Sequence, residues 1–149
     1  YNHKTIPHYI EAAEKFGTGI ALENLYGRMM RGGVDTLIRL CDSFNSDKVG
    51  ICLDTGHLNM TEKGHYEFIL KAGKRLKALH IADNEGYSDQ HLMPFTNGNV
   101  KFSEVIKGLC EVGYKGMFNL EIPGENRIPM ELRDAKISYM KACYEYLMR

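Results

Sequence analysis

The feature that most constrains this chain is an alternation of short β-rich runs with amphipathic helical windows, repeated four times. The runs are TGIALEN (18–24), VGICLD (49–54), LKALHIA (76–82) and GMFNLEI (116–122). After the first come Val34, Leu37, Ile38, Cys41 and Phe44, spaced i, i+3, i+4, i+7 and i+10 as one face of a helix. Further helices are expected over 64–72, 103–111 and 129–147, the third of these with Ile137, Met140, Tyr144 and Leu147 toward the core. Ser103 and Glu104 suit a helix start, and an opening helix is expected over 5–16 with Pro7 in its first turn. A crossover helix returns the chain to the same sheet edge, so the strands should run parallel. Four such units make a small open sheet or half of an eight-stranded barrel, which takes about 250 residues; this chain has 149.

Side-chain parity separates the two architectures. Each run carries a residue with metal-ligand chemistry near its end: Glu23, Asp54, His80 and Glu121. Strand side chains alternate faces, so Ala21 and Gly19 share the face of Glu23, and Cys52 and Gly50 that of Asp54. Likewise Ala78 and Leu76 accompany His80, and Asn119 and Met117 accompany Glu121. The opposite faces carry Ile20 and Leu22, Ile51 and Leu53, Leu79 and Ile81, and Phe118 and Leu120. Bulk on the helix-packed side and polar groups converging at the C-terminal strand ends are what a barrel requires.

One histidine and three carboxylates at strand ends would form a nitrogen–oxygen site for Mn²⁺, Co²⁺, Zn²⁺ or Mg²⁺, with positions left for a substrate. Clustered carboxylates repel and are costly to desolvate, and a cation offsets both effects. A single Glu at a strand end is ordinary; the same chemistry at four strand ends, always on one face, is not.

The motifs A-L-E-N (21–24), C-L-D-T-G-H (52–57), L-H-I-A-D-N (79–84), S-D-Q-H-L-M-P-F (88–95) and N-L-E-I-P-G-E (119–125) occur in that order. Together they resemble the later strands of the xylose isomerase-like TIM barrel superfamily, which includes sugar isomerases, ketose 3-epimerases, inosose dehydratases and the endonuclease IV family. The resemblance covers essentially the whole chain. It implies an α/β fold, the C-terminal half of a (β/α)₈ barrel with four βα units after one helix, forming a single domain over 1–149. It implies that Glu23, Asp54, His80 and Glu121 hold a shared divalent metal. In the epimerase branch, Glu23 and Glu121 would also be acid and base on opposite faces of a sugar or sugar phosphate. A metal-polarised carbonyl lowers the cost of removing a proton from the neighbouring carbon, which suits that pairing. His57 would contact substrate or a second metal, and Asp89 and His91 match a pair that holds an additional zinc in the endonuclease branch. Gly86 stands where ketose 3-epimerases place a substrate-binding Arg. After Pro94, Thr96-Asn97-Gly98-Asn99 keeps one glycine of a Gly-x-Gly turn.

Bulk properties narrow the partners. With 19 basic and 19 acidic side chains the chain is neutral, so nucleic acid is not an expected partner and a small sugar is. Cys41, Cys52, Cys110 and Cys143 form no C-x-x-C pair and read as reduced thiols of a cytoplasmic protein. No apolar run nears the roughly 20 residues of a membrane span. The opening, Tyr1 to Pro7, has neither an initiator Met nor a signal segment and reads as a chain entered mid-protein. His3, His8 and His65 fall outside the motifs and read as surface residues. A half-barrel leaves two sheet edges unpaired, so either a homodimer or an N-terminal half-barrel is expected to cover them. The leading reading is a metal-dependent isomerase or epimerase of a small sugar or polyol. The alternatives are a zinc-dependent apurinic/apyrimidinic endonuclease and a catalytically inert half-barrel assembly module.

Overall fold

A computed structural model of the chain describes residues 2–27, 33–61, 64–123 and 128–149. Its elements are α1 (Asn2–Phe16), β1 (Ile20–Glu23), α2 (Gly33–Asp42), β2 (Val49–Asp54), α3 (Thr55–Thr61), α4 (His65–Ala72), β3 (Leu76–His80), α5 (Phe102–Glu111) and α6 (Met130–Leu147). The strands form a parallel sheet in sequential order, with Glu23 opposite Cys52 and Asp54 opposite His80.

The parity expected from the sequence holds on the packed face, while Leu76, expected on the face of His80, is 6% exposed and belongs to the core. Ile51, Leu53, Leu79 and Ile81 are at most 1% exposed and join one core with Val34 and Leu37 of α2, Ile69 of α4 and Val105 of α5. Burial of each such side chain contributes roughly 1.5–3 kcal/mol. A Cβ on Gly108 would lie 3.1 Å from Ile69, so glycine is what lets α5 approach α4 this closely. On the other face Ala21 and Asn119 are exposed, and Met117 is 78% exposed.

The secondary structure and helix packing depart from the sequence reading in four places. The fourth run does not become a strand; Ile81 and Leu120 make a single parallel bridge, with Ile81 N–H donating to the Asn119 carbonyl at 2.8 Å and Glu121 N–H to the Ile81 carbonyl at 2.9 Å. Position and direction are as expected. The run ends at Pro123, which has no N–H to give to a ladder.

A helix, α3, follows β2 where none was expected. Asp54 Oδ1 accepts the His57 N–H at 2.7 Å, an N-cap bond that starts the helix directly from the strand end. At the N-terminus α1 begins at Asn2, which places Pro7 inside the helix, beyond its first turn. In α6 the buried residues are Cys143 and Leu147, while Ile137 is 62% and Tyr144 43% exposed. This helix packs beside the end of the sheet, Tyr144 against Phe118 at 5.7 Å, so most of its apolar stripe meets solvent.

All four cysteines are free, with Cys110 alone exposed. Among the described residues no helix is long and apolar enough to cross a membrane.

Candidate metal centre

The sheet register brings the strand ends together. Ligand atoms of Glu23, Asp54, His80 and Glu121 all lie within 4.8 Å of one another. Glu23 ends β1, Asp54 ends β2, His80 ends β3, and the single bridge at Leu120 sets Glu121 beside them. His80 Nδ1 stands 3.0 Å from Glu121 Oε2 and 3.5 Å from Glu23 Oε1.

The atoms fit a cation better than they fit one another. Asp54 Oδ2, His80 Nδ1 and Glu121 Oε2 are buried and have no hydrogen-bond partner, despite the short His80–Glu121 separation. Buried polar atoms are normally paired, and three unpaired ones close together leave room for an ion to join them. Burial pushes the Asp54 carboxyl up to about 6, against the His57 N–H, which favours its charged form. Its Oδ1 is occupied as the cap of α3, which leaves Oδ2 as the ligand atom. Three carboxylates and one imidazole suit a hard or borderline divalent cation such as Mn²⁺, Co²⁺, Zn²⁺ or Mg²⁺. Cys52 shares this face, but burial and the Glu23, Asp54 and Glu121 charges push its thiol up to about 12, which keeps it protonated.

His57, Asp89 and His91 form a second group, again with ligand atoms within 4.8 Å of one another. His57 comes from α3 and the other two from the loop between β3 and α5. His57 Nδ1 faces the Asn24 carbonyl at 2.9 Å and His91 Nδ1 the Glu121 carbonyl at 3.0 Å. A carbonyl only accepts, so in each ring Nδ1 carries the proton and Nε2 is turned to Asp89, at 3.3 Å from Oδ2 and 3.1 Å from Oδ1. Backbone carbonyls orient metal-binding imidazoles in this way. Asp89 Oδ1 is a fourth buried atom without a hydrogen bond. Burial opposes charge on His91, but the Glu121 carbonyl and the Asp89 and Glu121 carboxylates hold it above its usual pKa. His91 also sits at φ +49°, a left-handed conformation that non-glycine residues adopt at a cost.

Sequence reasoning assigned no role to the residues that hold these groups in place. Asn24, 2% exposed, donates to the Asp54 carbonyl at 3.0 Å and accepts the Asp54 N–H at 2.7 Å, locking the end of β1 to that of β2. Thr55 links β2 to the chain after β3 by donating to the Ala82 carbonyl at 2.7 Å and accepting the Ala82 N–H at 3.0 Å. His65, expected at the surface, is 2% exposed and hydrogen-bonds the Thr55 carbonyl at 2.9 Å; burial lowers its pKa. It starts α4 from Gly64, outside any apolar periodicity, so no pattern marked it as internal. His3 and His8 are exposed as expected. Gly86 adopts φ +87°, which an arginine could take here only with strain. Gly32, Gly124 and Glu125 lie outside the described residues.

Comparison with known proteins gives the family. The Xylose isomerase-like TIM barrel family matches residues 6–143. An L-ribulose 3-epimerase from Methylomonas sp. is 33% identical over 131 residues, 85% of this chain and 41% of its own length. An uncharacterized protein of Methanocaldococcus jannaschii is 34% identical over 125 residues, 80% of this chain and 42% of its own. A crystal structure of a D-tagatose 3-epimerase-like protein superposes with a TM-score of 0.78 and 31% identity, covering 99% of this chain and 53% of that one. The chain belongs to the xylose isomerase-like TIM barrel family. It spans about two fifths of the length of these curated relatives and about half of the solved barrel.

Proposed function

We propose that the strand-end cluster holds a divalent cation and serves a sugar isomerase or epimerase in which Glu23 and Glu121 move a proton at carbon. The observation that carries this reading is the convergence of four ligand atoms within 4.8 Å, three of them buried and unpaired. Similarity to an L-ribulose 3-epimerase and to a D-tagatose 3-epimerase-like structure supports the reaction class. A bound cation would polarise a substrate carbonyl and its neighbouring hydroxyl. Glu23 Oε1 and Glu121 Oε2 stand 3.5 and 3.0 Å from His80 Nδ1, so both carboxylates border the site where a substrate would meet the cation. One takes the proton from the carbon beside the carbonyl and the other delivers a proton to the opposite face. The C–H bond broken on one side is replaced on the other, with no net change in atoms.

Glu121→Gln tests this through deuterium incorporation from solvent into free and phosphorylated ketoses. Exchange should fall by roughly 10²–10⁴-fold while the cation still binds. Unchanged exchange would remove Glu121 from the mechanism.

We further propose that residues 1–149 form one half-barrel domain whose open face at Ala21, Met117 and Asn119 is covered by four more βα units. These come from a second copy, giving a homodimer, or from an N-terminal half-barrel. A solution mass of twice 17.0 kDa would favour the first. The four free cysteines suit a reducing, cytoplasmic setting. The His57–Asp89–His91 group favours a second reading, a zinc-dependent endonuclease acting at abasic sites. Incision of abasic DNA by the zinc-loaded protein would support that reading, and a neutral chain that ignores such DNA would count against it.

A further inference from the structure

His57 and the Asp89–His91 pair belong to different elements, so something must fix the β3–α5 loop against α3. The two residues that follow the β3 bridge region, Asp83 and Asn84, are 2% and 0% exposed and point into polar surroundings. Asp83 Oδ1 accepts the N–H of Asn84 at 2.9 Å and that of Val100 at 2.9 Å, so one carboxylate oxygen joins the start of the loop to its end. The Asp83 backbone pairs with Leu92 in both directions, at 2.9 and 2.8 Å, which pins the middle of the loop directly after His91. Asn84 closes the loop with its carbonyl, which accepts the Asn99 N–H at 2.9 Å.

The same asparagine reaches the helix. Asn84 Nδ2 donates to the Gly56 carbonyl at 2.8 Å, and Asn84 Oδ1 accepts from Asn59 Nδ2 at 2.9 Å. Asn59 also donates to Asn99 Oδ1 at 2.6 Å. Gly98 completes the fit, because a Cβ there would overlap the Asp83 carboxylate. This is the physical reason that Gly98 is the glycine kept in the 96–99 stretch.

We propose that Asp83, seated against Gly98, is a positioning residue: it latches the 84–100 loop and thereby delivers Asp89 and His91 to His57. This rests on the reading of His57, Asp89 and His91 as a metal-binding group. Asp83 touches none of the three side chains in this role; it acts through the loop.

The test compares Asp83→Ala and Gly98→Ala with the unaltered chain in Co²⁺ titrations followed by visible absorption, with His91→Ala and His80→Ala assigning the two clusters. Both latch variants should lose at least roughly 10-fold in Co²⁺ affinity at His57–Asp89–His91, with the strand-end site kept within about twofold. A role limited to stability would weaken both sites together in step with the folded fraction, and that outcome overturns the proposal. So does unchanged affinity at both. Should the unaltered chain take up no Co²⁺ at all, the metal reading fails by itself and amide exchange decides the latch. Faster exchange confined to 84–100 in either variant upholds it, and wild-type protection there overturns it.

Discussion

The two ligand clusters are built by different means. Glu23, Asp54 and His80 are placed by sheet register, each at the end of a strand, and Glu121 by the single bridge beside β3. His57, Asp89 and His91 are placed by a short helix and a loop, held by side-chain to backbone hydrogen bonds from Asn24, Asp83 and Asn84. The first arrangement inherits the rigidity of the core. The second depends on a handful of buried amides and one carboxylate, and a single substitution can displace it.

Breaking the strand-end cluster should have the largest effect. Asp54→Ala removes a ligand atom that has no other partner, and Co²⁺ affinity there should fall by more than roughly 100-fold in calorimetric titration. Retained affinity would show that register alone does not define the site. Next comes the support beneath it. Leu53, fully buried in β2, should cost roughly 2–5 kcal/mol when changed to Ala, measured by urea unfolding. Met117, on the open face, should cost under about 0.5 kcal/mol. Equal costs would mean that the open face is covered in solution.

Asn24 joins the two clusters, since it bonds Asp54 and its carbonyl orients His57. Asn24→Ala strands the Asp54 N–H and C=O, so a loss of about 1–3 kcal/mol is expected, with weaker metal binding at both groups. Weakening at one group alone would show that they are independent.

The smallest effect is a pH dependence. Burial holds His65 below its usual value of 6.5, so its neutral form belongs to the folded state and its contribution is fully present above that value. Stability should decline as pH falls below 6.5, where the unfolded chain takes up the proton more readily. His65→Gln should flatten that part of the profile, and an unchanged slope would contradict the assignment.

The same contrast explains what the sequence revealed. Alternation of period two marked Ile51, Leu53, Leu79 and Ile81 as the packed face, and so placed the four strand-end ligands on the other. The fourth run was identified in place and direction, but nothing in its own residues marked its reduction to one bridge. The helix α3 was missed although Asp54 is a good N-cap, because Gly56 and Asn59 are weak helix formers and the helix has only 7 residues. The motif resemblance implied roles for His57, Asp89 and His91. The latch and the burial of His65 arise from long-range hydrogen bonds that no local pattern encodes.

The most direct test of the account is divalent-metal content by elemental analysis after loading with Mn²⁺ or Co²⁺ and desalting. The account predicts that Asp54→Ala/His80→Ala lowers the content by about one ion per chain relative to the unaltered chain, and that His91→Ala keeps the strand-end ion. An ion count unchanged by the double substitution, or no uptake by the unaltered chain, would contradict it.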